Sequence, residues 1–77
     1  MSMMVKIDVK ETGHLIKVQM VKRGLSTDRV AKELGYSDRS TINRWTRGEA
    51  MPSYENLINL AILLRCDLKE IVAYEKE

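Results

Sequence analysis

Seventy-seven residues, 44% of them hydrophobic and 31% charged, suit one globular domain near the lower limit at which an apolar core suffices. A single cysteine excludes an internal disulfide, and one cysteine with one histidine supplies neither a metal-ligand set nor a nucleophile–base–orienter set, so no metal, cofactor, small-molecule substrate or enzymatic activity is expected. The net charge of +2 hides a gradient: residues 1–50 carry ten Lys/Arg against six Asp/Glu and residues 51–77 three against five, so the first part is the one suited to a polyanion.

Along the chain, residues 1–11 are expected to form an arm, residues 12–74 the domain and residues 75–77 a tail. Val5, Ile7 and Val9 alternate with Lys6, Asp8 and Lys10 at the period of a strand. A lone strand finds no evident partner, so this stretch is read as an arm or a frayed approach to the first helix. That helix is expected from about Thr12 to Arg23, with Thr12 or Gly13 as its cap and Gly24 as its stop. Its apolar residues form two ridges, Ile16 with Met20, and Leu15 and Val18 with Val21, which predicts burial on more than one side. Ser26 caps a second helix, Asp28 favours the positive end of its dipole, Val30, Ala31 and Leu34 face inward, and Gly35 ends it. Ser37 or Asp38 caps a third helix, which stops at Gly48. Pro52 and Ser53 open a fourth, with Leu57, Leu60, Ala61 and Leu64 inward and Cys66 as a small apolar residue beside it. Asp67 and Glu70 have capping-box spacing at the start of a fifth, in which Leu68, Ile71 and Val72 are apolar. Nothing after the first ten residues reads as a strand, so the expected class is all-α with five helices. No leader-like segment opens the chain and no apolar run reaches membrane-spanning length, which predicts a cytoplasmic, reducing location without membrane contact.

The third helix carries the chemistry. On a wheel at about 100° per residue with Arg39 at zero, Asn43, Arg47, Ser40 and Arg44 fall at roughly 40°, 80°, 100° and 140°. Thr41, Trp45 and Ile42 fall at about 200°, 240° and 300°. Trp45, the only tryptophan, and Ile42 therefore anchor a helix whose other side is cationic and rich in directional hydrogen-bonding groups. An outward polar face also serves plain solubility. A merely solvated helix usually mixes signs, however, and here no acid stands between Asp38 and Glu49. Such a face suits the major groove of double-stranded DNA, where arginine chelates guanine and asparagine pairs with adenine.

The elements "GLS" at 24–26, "VAKELGYS" at 30–37, "STINRW" at 40–45, "RG" at 47–48, "PS" at 52–53 and "LINLAILL" at 57–64 occur in one order. In these the chain resembles the lambda-repressor and Cro-like (XRE-type) helix-turn-helix domains over about residues 12–72. The resemblance implies a five-helix DNA-binding fold, with the third helix reading bases as part of a transcriptional regulator, a repressor of bacterial, phage or mobile-element type. It places Arg39, Ser40, Asn43 and Arg44 at base-facing positions, and Thr27, Ser37, Thr41 and Arg47 at phosphate-facing ones. Three departures stand out. The turn before the third helix is one residue longer than is common. Met20 and Thr46 stand where members often pair arginine with glutamate. Asp38 would repel a phosphate at close range and is expected to cap the third helix instead.

Elsewhere, His14 and Tyr54 read as surface residues and Tyr36 as packing over the turn. Lys6, Lys22 and Arg23 read as solvated cations before they read as phosphate contacts. Leu68, Ile71, Val72 and Tyr74 either close the core or leave an apolar edge for a weak homodimer. The rival reading is a protein-interaction module of the same fold, such as an antitoxin partner.

Overall fold

The computed structural model describes residues 4–76. Within them the helices follow the caps and stops of the chain: α1 (Val9–Arg23), α2 (Thr27–Glu33), α3 (Ser40–Thr46) and α4 (Tyr54–Leu64). A 3₁₀ turn spans Leu68–Glu70, and two short strands, β1 (Val5–Ile7) and β2 (Tyr74–Lys76), stand at either end. Ser26 Oγ accepts from Arg29 N–H at 3.1 Å and Ser53 Oγ accepts from Asn56 N–H at 3.2 Å, so both serine caps form where the local pattern puts them.

α1 starts earlier than its expected Thr12 boundary. Asp8 is the N-cap, accepting from Glu11 N–H at 2.9 Å, and the helix runs on through Gly13. Thr12 is instead a buried residue one turn inside. Its Oγ1 accepts from Ala73 N–H at 2.9 Å, while Asp8 N–H donates to the Ala73 carbonyl at 2.9 Å. The two expected ridges of α1 are also not both buried: Ile16 and Met20 are, whereas Leu15 and Val18 are half-buried and Val21 is exposed. α1 buries one side only.

The all-α, five-helix expectation is corrected. Val5–Ile7 pairs antiparallel with Tyr74–Lys76, in the register Val5↔Lys76, Lys6↔Glu75 and Ile7↔Tyr74. The alternation in the first residues was a true strand signal whose partner lies at the far end of the chain. The expected limits at residues 11 and 75 therefore fall inside α1 and inside β2. The fifth helix is reduced to one 3₁₀ turn. Glu70 accepts from Asp67 N–H at 2.7 Å, as the capping-box spacing predicts. Ile71 is then fully buried and the chain extends to reach β1. A segment this short gains little as an isolated helix, and core closure plus strand pairing outweigh it.

The core gathers Ile16 and Met20 of α1, Val30 and Ala31 of α2, Ile42 and Trp45 of α3, and Leu57, Leu60 and Leu64 of α4, sealed by Ile71. Each fully buried aliphatic side chain of this size contributes about 1.5–3 kcal/mol relative to exposure. Met20, at the position where the family often has arginine, is wholly within this core, and Thr46 is half-buried. Cys66 packs half-buried against it, and burial, with Glu70 and Asp67 adding to it and Arg23 opposing, pushes its thiol above the ordinary range. No helix among the described residues is long and apolar enough to cross a membrane.

Candidate nucleic-acid interface

α3 is seated by two close approaches. Gly13 of α1 faces the end of α3 so closely that a Cβ there would overlap the Trp45 carbonyl oxygen and lie 3.0 Å from that of Thr46. Gly48, just past α3, has φ +74°, and a Cβ on it would stand 2.6 Å from Lys10 Cα. Both positions need glycine: the first for approach, the second also for its left-handed backbone. Gly48 N–H donates to Trp45 O at 3.1 Å and Glu49 N–H to Arg44 O at 2.9 Å, the Schellman closure of the helix.

The inner side of α3 is anchored by Ile42, fully buried, and Trp45, 4% exposed. Tyr36 meets the Trp45 ring edge-on, with centroids 5.9 Å apart and planes at 82°. Asn56 Nδ2 donates to the Tyr36 hydroxyl at 2.9 Å, so the turn between α2 and α3 is tied to α4. This link is tertiary and had no signal in the local pattern. Tyr36 packs over the turn, as expected, and His14 and Tyr54 are exposed.

The outer side presents Arg39, Ser40, Arg44 and Arg47 exposed, with Thr41 and Asn43 half-buried. Ser37 is exposed before it, and Thr27 is half-buried at the start of α2. All the candidate site residues thus lie on the two helices of the motif, the turn between them or the residue that ends α3. Among the described residues neither Arg44 nor Arg47 enters an ion pair, whereas Arg39 lies 3.7 Å from Asp28 of α2, both side chains being well exposed. A pair so exposed adds little to stability. Lys10, whose stem lies against Gly48, continues the cationic surface from Arg47 onto α1.

The start of α3 corrects one expectation. The cap position belongs to Arg39, which makes no side-chain capping bond, and not to Ser37 or Asp38. Asp38 acts from one residue upstream: its Oδ1 accepts from Ser40 N–H at 2.8 Å and from the Ser40 hydroxyl at 2.5 Å. These bonds, the hydroxyl first and the amide second, hold the Asp38 carboxyl below its ordinary value. The carboxylate still satisfies an orphan amide of the first turn.

Arg23, read from sequence as a solvated cation, has a different place. Its Nε donates to Leu64 O at 2.8 Å and its Nη2 to Arg65 O at 3.0 Å, closing the carboxyl end of α4. Arg65 there is left-handed, at φ +53°. No group of three His, Cys, Asp or Glu among the described residues could hold a metal ion.

The chain matches a family model described as Helix-turn-helix over residues 16–71. No curated protein matches its sequence. Among solved structures it is similar to the restriction-modification controller protein C.AhdI from Aeromonas hydrophila, with TM-score 0.75 and 28% identity over 83% of this chain and 91% of that one. It is similar also to a candidate DNA-binding protein from Bacteroides fragilis, with TM-score 0.71 and 26% identity over 91% of this chain and 100% of that one. The S. venezulae BldD DNA-binding domain shares the fold, with TM-score 0.74 and 21% identity over 86% and 97% of the two chains.

Proposed function

The chain belongs to the lambda-repressor-like (XRE-type) helix-turn-helix family, and from that premise we propose that it binds double-stranded DNA as a sequence-specific transcriptional regulator, with α3 in the major groove. The observation that carries this reading is the division of α3: Ile42 and Trp45 are locked into the core while Arg44, Arg47 and Ser40 stand in solvent without an intervening acid. In this reading Arg39, Ser40, Asn43 and Arg44 contact base edges, and Thr27, Ser37, Thr41 and Arg47 contact phosphates. Occupancy of a promoter then excludes polymerase, which makes the protein a repressor.

Two recognition helices one DNA turn apart would read a two-fold operator, so a weak homodimer fits the function. The carboxyl-terminal edge expected to serve it is largely consumed, because Ile71 is buried and Leu68 and Val72 pack on the core. Val5, Ile7 and Tyr74 on the ribbon and Ile62 on α4 remain exposed for such a contact.

The test is a salt titration of binding to random-sequence duplex DNA. Only cations release counterions, so Arg47 alone predicts that log K falls with log salt at a slope of about −1 per protomer, and Arg39, Arg44 and Lys10, where they reach phosphates of the random duplex, steepen it to about −3 to −4. Absence of duplex binding, or binding indifferent to salt, would instead favour the protein-interaction module.

A further inference from the structure

We infer that Ser40 reads an exocyclic amino group, that of adenine or cytosine, on a base edge in the major groove, with Asp38 as the positioning residue that makes the serine an acceptor. The inference rests on the placement of α3 proposed above. Ser40 has two hydrogens to donate, on its amide and its hydroxyl, and both are directed at Asp38 Oδ1, at 2.8 and 2.5 Å. An ionised carboxylate only accepts, so the hydroxyl proton lies between Ser40 and Asp38. An aspartate is ionised at neutral pH, and the two Ser40 bonds lower the Asp38 carboxyl further, so it stays an acceptor there.

What Ser40 Oγ offers outward is therefore lone pairs. Base edges in the major groove present donors only at the amino groups of adenine and cytosine, whereas guanine O6 and N7 and thymine O4 accept. A serine with a free hydroxyl proton serves either kind, so a lone serine carries little discrimination. Holding the proton on Asp38 removes that ambiguity. Ser40 is exposed, and Asn43 and Arg44 follow it by three and four residues, the spacing of neighbours on one helix face. Asp38 acts through Ser40 without touching the base.

The experiment is selection of preferred duplexes from a random library by the wild-type chain and by Ser40→Ala, Asp38→Ala and Asp38→Asn. The wild type is expected to favour adenine or cytosine at one position by about three- to ten-fold, the strength of one net hydrogen bond. Ser40→Ala flattens that position alone. Asp38→Ala frees the hydroxyl proton, so guanine and thymine rise there while the other positions hold. Asp38→Asn keeps the preference, because its amide oxygen accepts the same two hydrogens. As a measurement independent of how well Asp38→Ala folds, replacing the selected base by an analogue lacking the amino group costs the wild type the same three- to ten-fold and Ser40→Ala nothing.

Four coincident selection profiles, a guanine or thymine preference at the position Ser40→Ala flattens, or a wild type indifferent to loss of the amino group would overturn the inference and leave the proposed function standing. A wild type that selects no duplex would remove both.

Discussion

Gly13→Ala tests the contact that seats the recognition helix. A methyl group at residue 13 would overlap the Trp45 carbonyl oxygen and crowd Thr46 O and Gly48 N, at 3.0 and 3.1 Å. All three atoms belong to backbone at the end of α3, so no flexible side chain can step aside. Ordinary contact begins near 3.4 Å, which obliges α1 and α3 to part by about an ångström. At an open position in a helix the same substitution would gain about 1 kcal/mol. Overpacking costs about 1–3 kcal/mol and sometimes more, and a clash with fixed backbone belongs at the top of that range. The net expectation is a loss of about 2 kcal/mol, which lowers Tm by roughly 8–16 °C in a domain of this size. Urea unfolding followed by Trp45 fluorescence, with a thermal melt, measures it directly. DNA affinity well below the melt should fall as well, because α3 shifts against α2. A Tm unchanged or raised would mean that the two backbones do not touch, and the reason given for a glycine inside α1 would be wrong.

Other substitutions probe separate joints. Arg23→Met keeps the apolar stem but leaves the carbonyls of Leu64 and Arg65 without their donor, and should cost about 1–3 kcal/mol by urea unfolding. Equal stability would return Arg23 to the solvated surface. Arg65→Gly removes the left-handed strain at φ +53°, worth about 1–2 kcal/mol, against the greater freedom of glycine in the unfolded chain. A gain of a few degrees in Tm is expected, and a drop would show that the Arg65 side chain stabilises the fold. Arg44→Ala should relax preference at one base pair by about 1–3 kcal/mol, whereas Thr27→Ala should weaken all sequences alike. An unaltered preferred sequence in Arg44→Ala would take Arg44 out of the reading set.

Features set by neighbours a few residues apart were open to the sequence alone. Ser26 and Ser53 cap α2 and α4, Leu57, Leu60 and Leu64 bury one stripe, and α3 divides into an Ile42–Trp45 anchor and a cationic outer side, because each depends only on helical period and capping chemistry. Asp8 with Glu11 three residues later was also a local signal. Gly13, expected as a possible cap, stands inside α1 instead, where the Trp45 carbonyl comes too close for any side chain. The ribbon, the loss of the fifth helix, the Arg23 closure of α4 and the Asn56–Tyr36 link depend on residues 20 to 71 positions apart. Composition and periodicity carry no information about which distant groups meet. Those pairings belong to the closed core: with Ile71 buried, Ala73 meets Thr12 and Tyr74 meets Ile7, and the expected fifth helix stops after one 3₁₀ turn.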